Sequence, residues 1–130
     1  MQSWLVKALH DLATARKAAS APDPYLDTAI YHCQQAAEKA VKGFLAFHDQ
    51  PLVRTHDIEL LLSLADPFET GFTAWVEAAE RLTRYATRYR YPGDVMEPDQ
   101  QEFDQALNDA EGLFQFVLSV LPAAVHPAAG

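Results

Sequence analysis

The chain has 130 residues, 49% of them hydrophobic, with a single cysteine and a formal net charge of −8. That length supports one core burying roughly two-thirds of the unfolded surface, and one cysteine excludes a disulfide framework. The acidic balance argues against indiscriminate binding to nucleic acid or an anionic membrane, and no apolar run approaches the ~20 residues that a membrane span needs. His10 and Asp11 come too early for a secretory leader. A cytoplasmic protein in a reducing compartment is the expectation, with Cys33 as a packed thiol.

In chain order, the first helix is expected from Ser3, as N-cap, to Ala19, with Trp4, Leu5, Ala8, Leu9, Leu12 and Ala15 on its apolar face. Residues 20–24 break it, and Asp23 followed by Pro24 offers a cap and first-turn proline for a second helix reaching His48. Ile30, Cys33, Ala37, Val41 and Phe44 form the stripe of that helix, while Gln35, Lys39 and Lys42 fall opposite. Gln34 and Glu38 sit at the stripe's edge, where alanine or leucine would be the simple choice. Thr55 is expected to cap a short third helix that buries Ile58, Leu61, Leu62 and Ala65, with Asp57 and Glu59 favouring its positive end. A fourth helix is predicted from Thr70 to Tyr89, stopped by Pro92 and Gly93. Asp99 with Glu102 resembles a capping box for a fifth helix running to Leu121, and residues 122–130 read as a loose tail. Nothing alternates as a strand does. The fold class is all-α: an up-and-down four-helix bundle with one additional short helix, one domain over residues 1–121.

The charge is unevenly spread. Residues 81–91 hold Arg81, Arg84, Arg88 and Arg90 and no acid, which leaves −12 on the rest of the chain. A basic patch on an acidic chain suggests one anionic ligand or an acidic partner. Arg81 and Arg84 have acids four residues before them, Glu77 and Glu80, so a solvated ion-paired face competes with ligand binding there. Arg88 and Arg90 have no such neighbours and are ligand candidates, with Tyr91 beside them; Tyr85 and Tyr89 fall on the buried stripe. His56 opens a helix between Arg54 and Asp57, a setting suited to an anion or to acid–base chemistry, though a capping turn fits it equally. His10, His32 and His48 lack ligand spacing and read as surface or rim residues. No di-iron, zinc, phosphate-loop or dinucleotide pattern is present, so no metal or cofactor is expected.

Asp11-Leu12, the run from Gln34 to Lys42 (QQAAEKAVK), Thr55-His-Asp-Ile58 and Arg90-Tyr-Pro92, in that order, resemble the HEPN domain family (higher eukaryotes and prokaryotes nucleotide-binding). The resemblance implies an α-helical bundle, commonly a homodimer, often encoded beside a small nucleotidyltransferase with which it forms a toxin–antitoxin pair. Several branches are metal-independent ribonucleases that use an Arg-x4–6-His motif. No arginine here has a histidine five to seven residues later, so no catalytic residue is carried over. The implied ligand-binding set is Lys42, Arg54, His56, Arg88, Arg90 and Tyr91. Gln34, Glu38, Lys39 and Asp57 form the implied polar network, with Glu38 expected to partner Arg88 or Arg90. The alternatives are a ribonuclease using His56 with arginines in a non-standard arrangement, and a non-catalytic protein-interaction bundle.

Overall fold

A computed structural model describes residues 2–20, 22–91 and 96–128. Five α-helices follow one another: α1 (Gln2–Ala18), α2 (Leu26–Phe47), α3 (Ile58–Ala65), α4 (Val76–Thr83) and α5 (Gln100–Ser119). No strand occurs among the described residues. The fold is all-α, as the periodicity implies, and no described helix is long and apolar enough to cross a membrane.

α2 is the central element. It packs most extensively on α1 and α5, and α3 closes a further side. Its apolar stripe, with Ile30, Cys33, Ala37 and Val41 fully buried, meets Leu5, Ala8, Leu12 and Ala15 of α1 and Leu113 and Val117 of α5 in one core. Burial extends well beyond that stripe. Gln35 and Lys42, expected on an open face, are only 8% and 9% exposed. Three neighbours leave a central helix only a narrow solvent side, so its buried polar groups must find partners inside the fold. Gly43 allows α1 to come close, since a Cβ there would lie 3.0 Å from Leu5 Cδ2.

The ends of the helices depart from expectation. Ser3 lies inside α1 and does not cap it. α2 starts at Leu26, with Tyr25 as N-cap and no side-chain cap, so Pro24 lies outside the helix. At the other end, Asp49 takes φ 55° while its N–H and that of Gln50 donate to Ala46 O and Leu45 O. This is a Schellman ending with aspartate in the left-handed position. Asp57, not Thr55, caps α3 by accepting from Leu60 N, and Thr55 Oγ1 accepts from Asp57 N one step earlier.

The predicted fourth helix is divided into a 3-10 turn (Thr70–Trp75), α4, and a second 3-10 turn (Arg84–Ala86). Thr83, Tyr85 and Thr87 favour helix weakly, and Thr83 Oγ1 accepts from Ile58 N instead of leaving the helix undisturbed. Tyr89 then takes φ 68°, which ends the segment before Pro92 and Gly93; those two lie outside the described residues. Asp99 caps α5 through Glu102 N, but the Glu102 carboxylate turns away to accept from two tyrosines, so the reciprocal half of the box is absent. Where it is described, the segment after Leu121 returns to the end of α5. Ala123–Val125 form a 3-10 turn, and His126 Nε2 lies 2.8 Å from Leu118 O and 3.1 Å from Leu121 O. Carbonyls of a last helical turn have acceptor capacity to spare, which an imidazole N–H can use.

Candidate functional site

α2 brings Gln34, Glu38 and Lys42 to the side where the residues before α3 cross it. Glu38 is 3% exposed. Its Oε2 accepts from Lys42 Nζ at 2.8 Å; its Oε1 accepts from Gln34 Nε2 at 3.0 Å and faces His56 Nδ1 at 2.8 Å. Gln34 Nε2 also donates to His56 O at 3.2 Å, and Gln34 Oε1 accepts from Gln35 Nε2 at 2.7 Å. Burial alone would raise the Glu38 carboxyl pKa, but the hydrogen bonds from Lys42, Gln34 and His56 outweigh it and hold the group below its ordinary range. An ionised Glu38 selects the Nδ1–H form of His56, leaving Nε2 as the outward acceptor on a side chain 68% exposed. Glu38 makes no ion pair with an arginine among the described residues. It orders a histidine and a lysine rather than Arg88 or Arg90.

A second buried acid lies on the α1 side of α2. Asp11 is 6% exposed; its Oδ1 faces His32 Nδ1 and its Oδ2 accepts from Lys39 Nζ, both at 2.7 Å. Lys39 therefore belongs to this cluster and not to that of Glu38. His32, read from sequence as a rim residue, has a structural partner. Asp11 and Glu38 are the buried partners: His32 and Lys39 aim their polar ends at Asp11 and stay partly exposed, and His56, in the segment before α3, is the exposed member of the Glu38 cluster.

The arginines separate. Arg90 lies over Tyr31, one turn before Gln34 and Gln35, with its guanidinium carbon 3.8 Å from the ring centroid. Arg90, Tyr31, Tyr89, Asp27 and Thr28 border a hollow of about 260 Å³ at the start of α2. Arg88 sits over Tyr89, 5.2 Å from its centroid. Arg81 forms a paired bridge to Asp109, Nε to Oδ2 at 2.8 Å and Nη2 to Oδ1 at 2.9 Å, rather than the expected bond to Glu77. Asp109 is 5% exposed, and its position among Ala106, Ala110 and Leu113 on the apolar stripe of α5 was the signal that an acid there needed a partner. Arg54 and Arg84 are exposed and have no ion-pair partner among the described residues. Tyr91 is exposed, next to Arg90. Asp57 is committed to capping α3.

A larger groove, about 680 Å³, runs between the Arg81–Tyr85 segment and α5. Apart from the exposed Arg84, its charged groups largely serve one another: Arg81 and Gln105 hold Asp109, and Tyr85 and Tyr89 donate to Glu102. Burial, then the Glu102 carboxylate, raises both phenol pKa values, so the two tyrosines stay neutral donors. The α2 edge is the better candidate site, because its outward groups (His56 Nε2, Arg54 and the edge of Arg90) are not consumed by the fold. Among the described residues no group of three or more His, Cys, Asp or Glu is placed to hold a metal ion.

The model of the HEPN domain matches residues 1–120. A crystal structure of an archaeal HEPN homologue superposes with a TM-score of 0.69 at 31% identity, covering 90% of this chain and 93% of that one. No curated protein matches. With the family model spanning almost the whole chain and the bundle shared with a homologue of that description, this protein belongs to the HEPN domain family.

Proposed function

We propose that this HEPN protein is a cytoplasmic homodimer that binds a nucleotide or RNA along the α2 edge and acts as the partner of a small nucleotidyltransferase in a toxin–antitoxin-type pair. The observation that supports the binding part is the set of exposed groups beside α2, namely Arg54, His56 held by the buried Glu38 carboxylate, and Arg90 over the Tyr31 ring, on a chain whose net charge is −8. Arg54, His56, Arg88, Arg90 and Tyr91 are the proposed ligand contacts, with Gln34, Glu38 and the buried Lys42 as the network behind His56, while Lys39, held by Asp11, and Asp57, capping α3, support the surrounding fold. The folded unit that carries this site is residues 1–121. Leu60 and Leu64, one turn apart on α3 and 42% and 38% exposed, offer apolar surface for the dimer contact. The paired nucleotidyltransferase rests on family membership alone.

One observation favours a second reading, a metal-independent ribonuclease. His56 combines a buried carboxylate on Nδ1 with an outward Nε2, the arrangement in which an imidazole takes a proton from a hydroxyl. Arg54, Arg88 or Arg90 would then face the phosphate. A single titration separates the readings: labelled single-stranded RNA with wild type and with Arg90→Ala and His56→Ala, in EDTA, at two salt concentrations. The first reading expects intact RNA and an affinity that falls with salt, with a shallower salt slope for Arg90→Ala. Cleavage that persists in EDTA and disappears in His56→Ala selects the ribonuclease. No binding even at low salt ends both.

A further inference from the structure

The side of α3 that faces α4 has an unmet charge. Glu59 and Asp66 stand seven residues apart along one side of α3, roughly 10 Å on the helix axis. They border a groove of about 300 Å³ whose other walls include Leu62, Phe72, Thr73 and Val76. Leu62 and Phe72 are buried and Val76 is half-exposed, so the walls between the two acids are largely apolar. Neither carboxylate has a hydrogen bond or an ion pair with a described residue, and Asp66 Oδ1 is buried with no partner at all. Asp66 also occupies the C-cap of α3, where the helix dipole disfavours a negative charge. A carboxylate placed against the dipole, partly buried and without a cation, is an uncompensated cost in the isolated chain.

We infer that this groove receives an arginine or lysine side chain from a basic segment of another protein. The aliphatic stem lies along Val76 and the methyl side of Thr73, above the buried Leu62 and Phe72, while the cationic head meets the Asp66 carboxylate, and Glu59 adds a second negative charge at the far end. Charge selects this occupant. The groove lining contains no cation, and the chain has 18 acids against 10 lysines and arginines. An anionic ligand would be repelled, and a wholly apolar segment would bury Asp66 further without neutralising it. The inference does not depend on the α2 reading, since none of its residues belongs to that site.

Amide NMR spectra of the full chain, titrated with N-acetyl-arginine amide and with its neutral isostere N-acetyl-citrulline amide, test the assignment. Arginine is expected to shift the amides of Leu62, Ser63, Thr73 and Val76 saturably, and citrulline to bind at least about tenfold more weakly. Asp66→Asn should weaken arginine by a similar factor, and Glu59→Gln by less. Equal binding of the two probes, arginine binding undiminished by Asp66→Asn, or no saturable shift would each overturn the inference. If Asp66→Asn does not fold, the citrulline comparison and Glu59→Gln decide the matter.

Discussion

Among the described side chains Glu38 has the most dependents: Lys42, Gln34 and His56 all orient on its two oxygens. Replacing it by glutamine keeps the shape but leaves the Lys42 ammonium buried without a counter-charge, a change that costs about 3 kcal/mol when a buried pair is broken. Its pH dependence has a definite sign. A carboxylate whose folded pKa lies below its ordinary 4.5 adds stability above that pH and loses it as pH falls through the folded value. Urea unfolding should therefore show the largest gap between wild type and Glu38→Gln near neutrality, closing as pH drops below 4.5. A gap that widens in acid would show that Glu38 is not held ionised. The sequence marked Glu38 and Gln34 as residues needing an explanation, since they interrupt the edge of an apolar stripe. It could not name their partners. Arg88 and Arg90 were expected from their place at the Arg90-Tyr-Pro92 end of the resemblance, whereas the path of the chain before α3 brings the imidazole of His56, 18 positions away, to a carboxylate that Lys42 already meets from the next turn of α2.

At the scale of elements, interiors were legible and ends were not. The buried positions of α3 and most of those of α5 follow from spacing, because one face must meet the core whatever the neighbouring helix is. Caps depend on which of several polar residues has a competing use. Thr55 yields the α3 cap to Asp57, and Glu102 abandons the capping box because Tyr85 and Tyr89 present two donors to it. The end of α2 supplies a test of this scale. Asp49 holds φ 55°, a conformation costing an L-residue roughly 1–2 kcal/mol that glycine adopts freely. Glycine gives back part of that through its greater freedom when unfolded. Asp49→Gly should stabilise the protein by up to about 1 kcal/mol, read as a higher urea midpoint at unchanged m-value. Destabilisation would mean that the Asp49 side chain has a role the backbone bonds do not reveal.

Across the whole molecule, one core joins α1, α2, α3 and α5, and its centre carries a reporter. Cys33 is fully buried on α2, and burial, with the negative charge of Glu111 adding to it, pushes its thiol up to about 12. That α2 is central was only half legible: its length and stripe indicated a bundle helix, but the burial of Gln35 and Lys42 on the supposed outer side follows from neighbours that the spacing of α2 alone does not reveal. Such a helix cannot open without the rest. A thiol reagent at pH 8 should therefore react with native protein at least about a thousandfold more slowly than with unfolded chain, whose cysteine has an ordinary pKa of 9.0. In rising urea, the labelling rate should increase in step with the loss of helical circular dichroism, since both report the same global opening. Fast labelling in native buffer with full helical signal would show that α1 lifts from α2 by itself. In that case the Asp11 cluster, which ties those two helices through His32 and Lys39, would be a movable latch rather than part of a single cooperative unit.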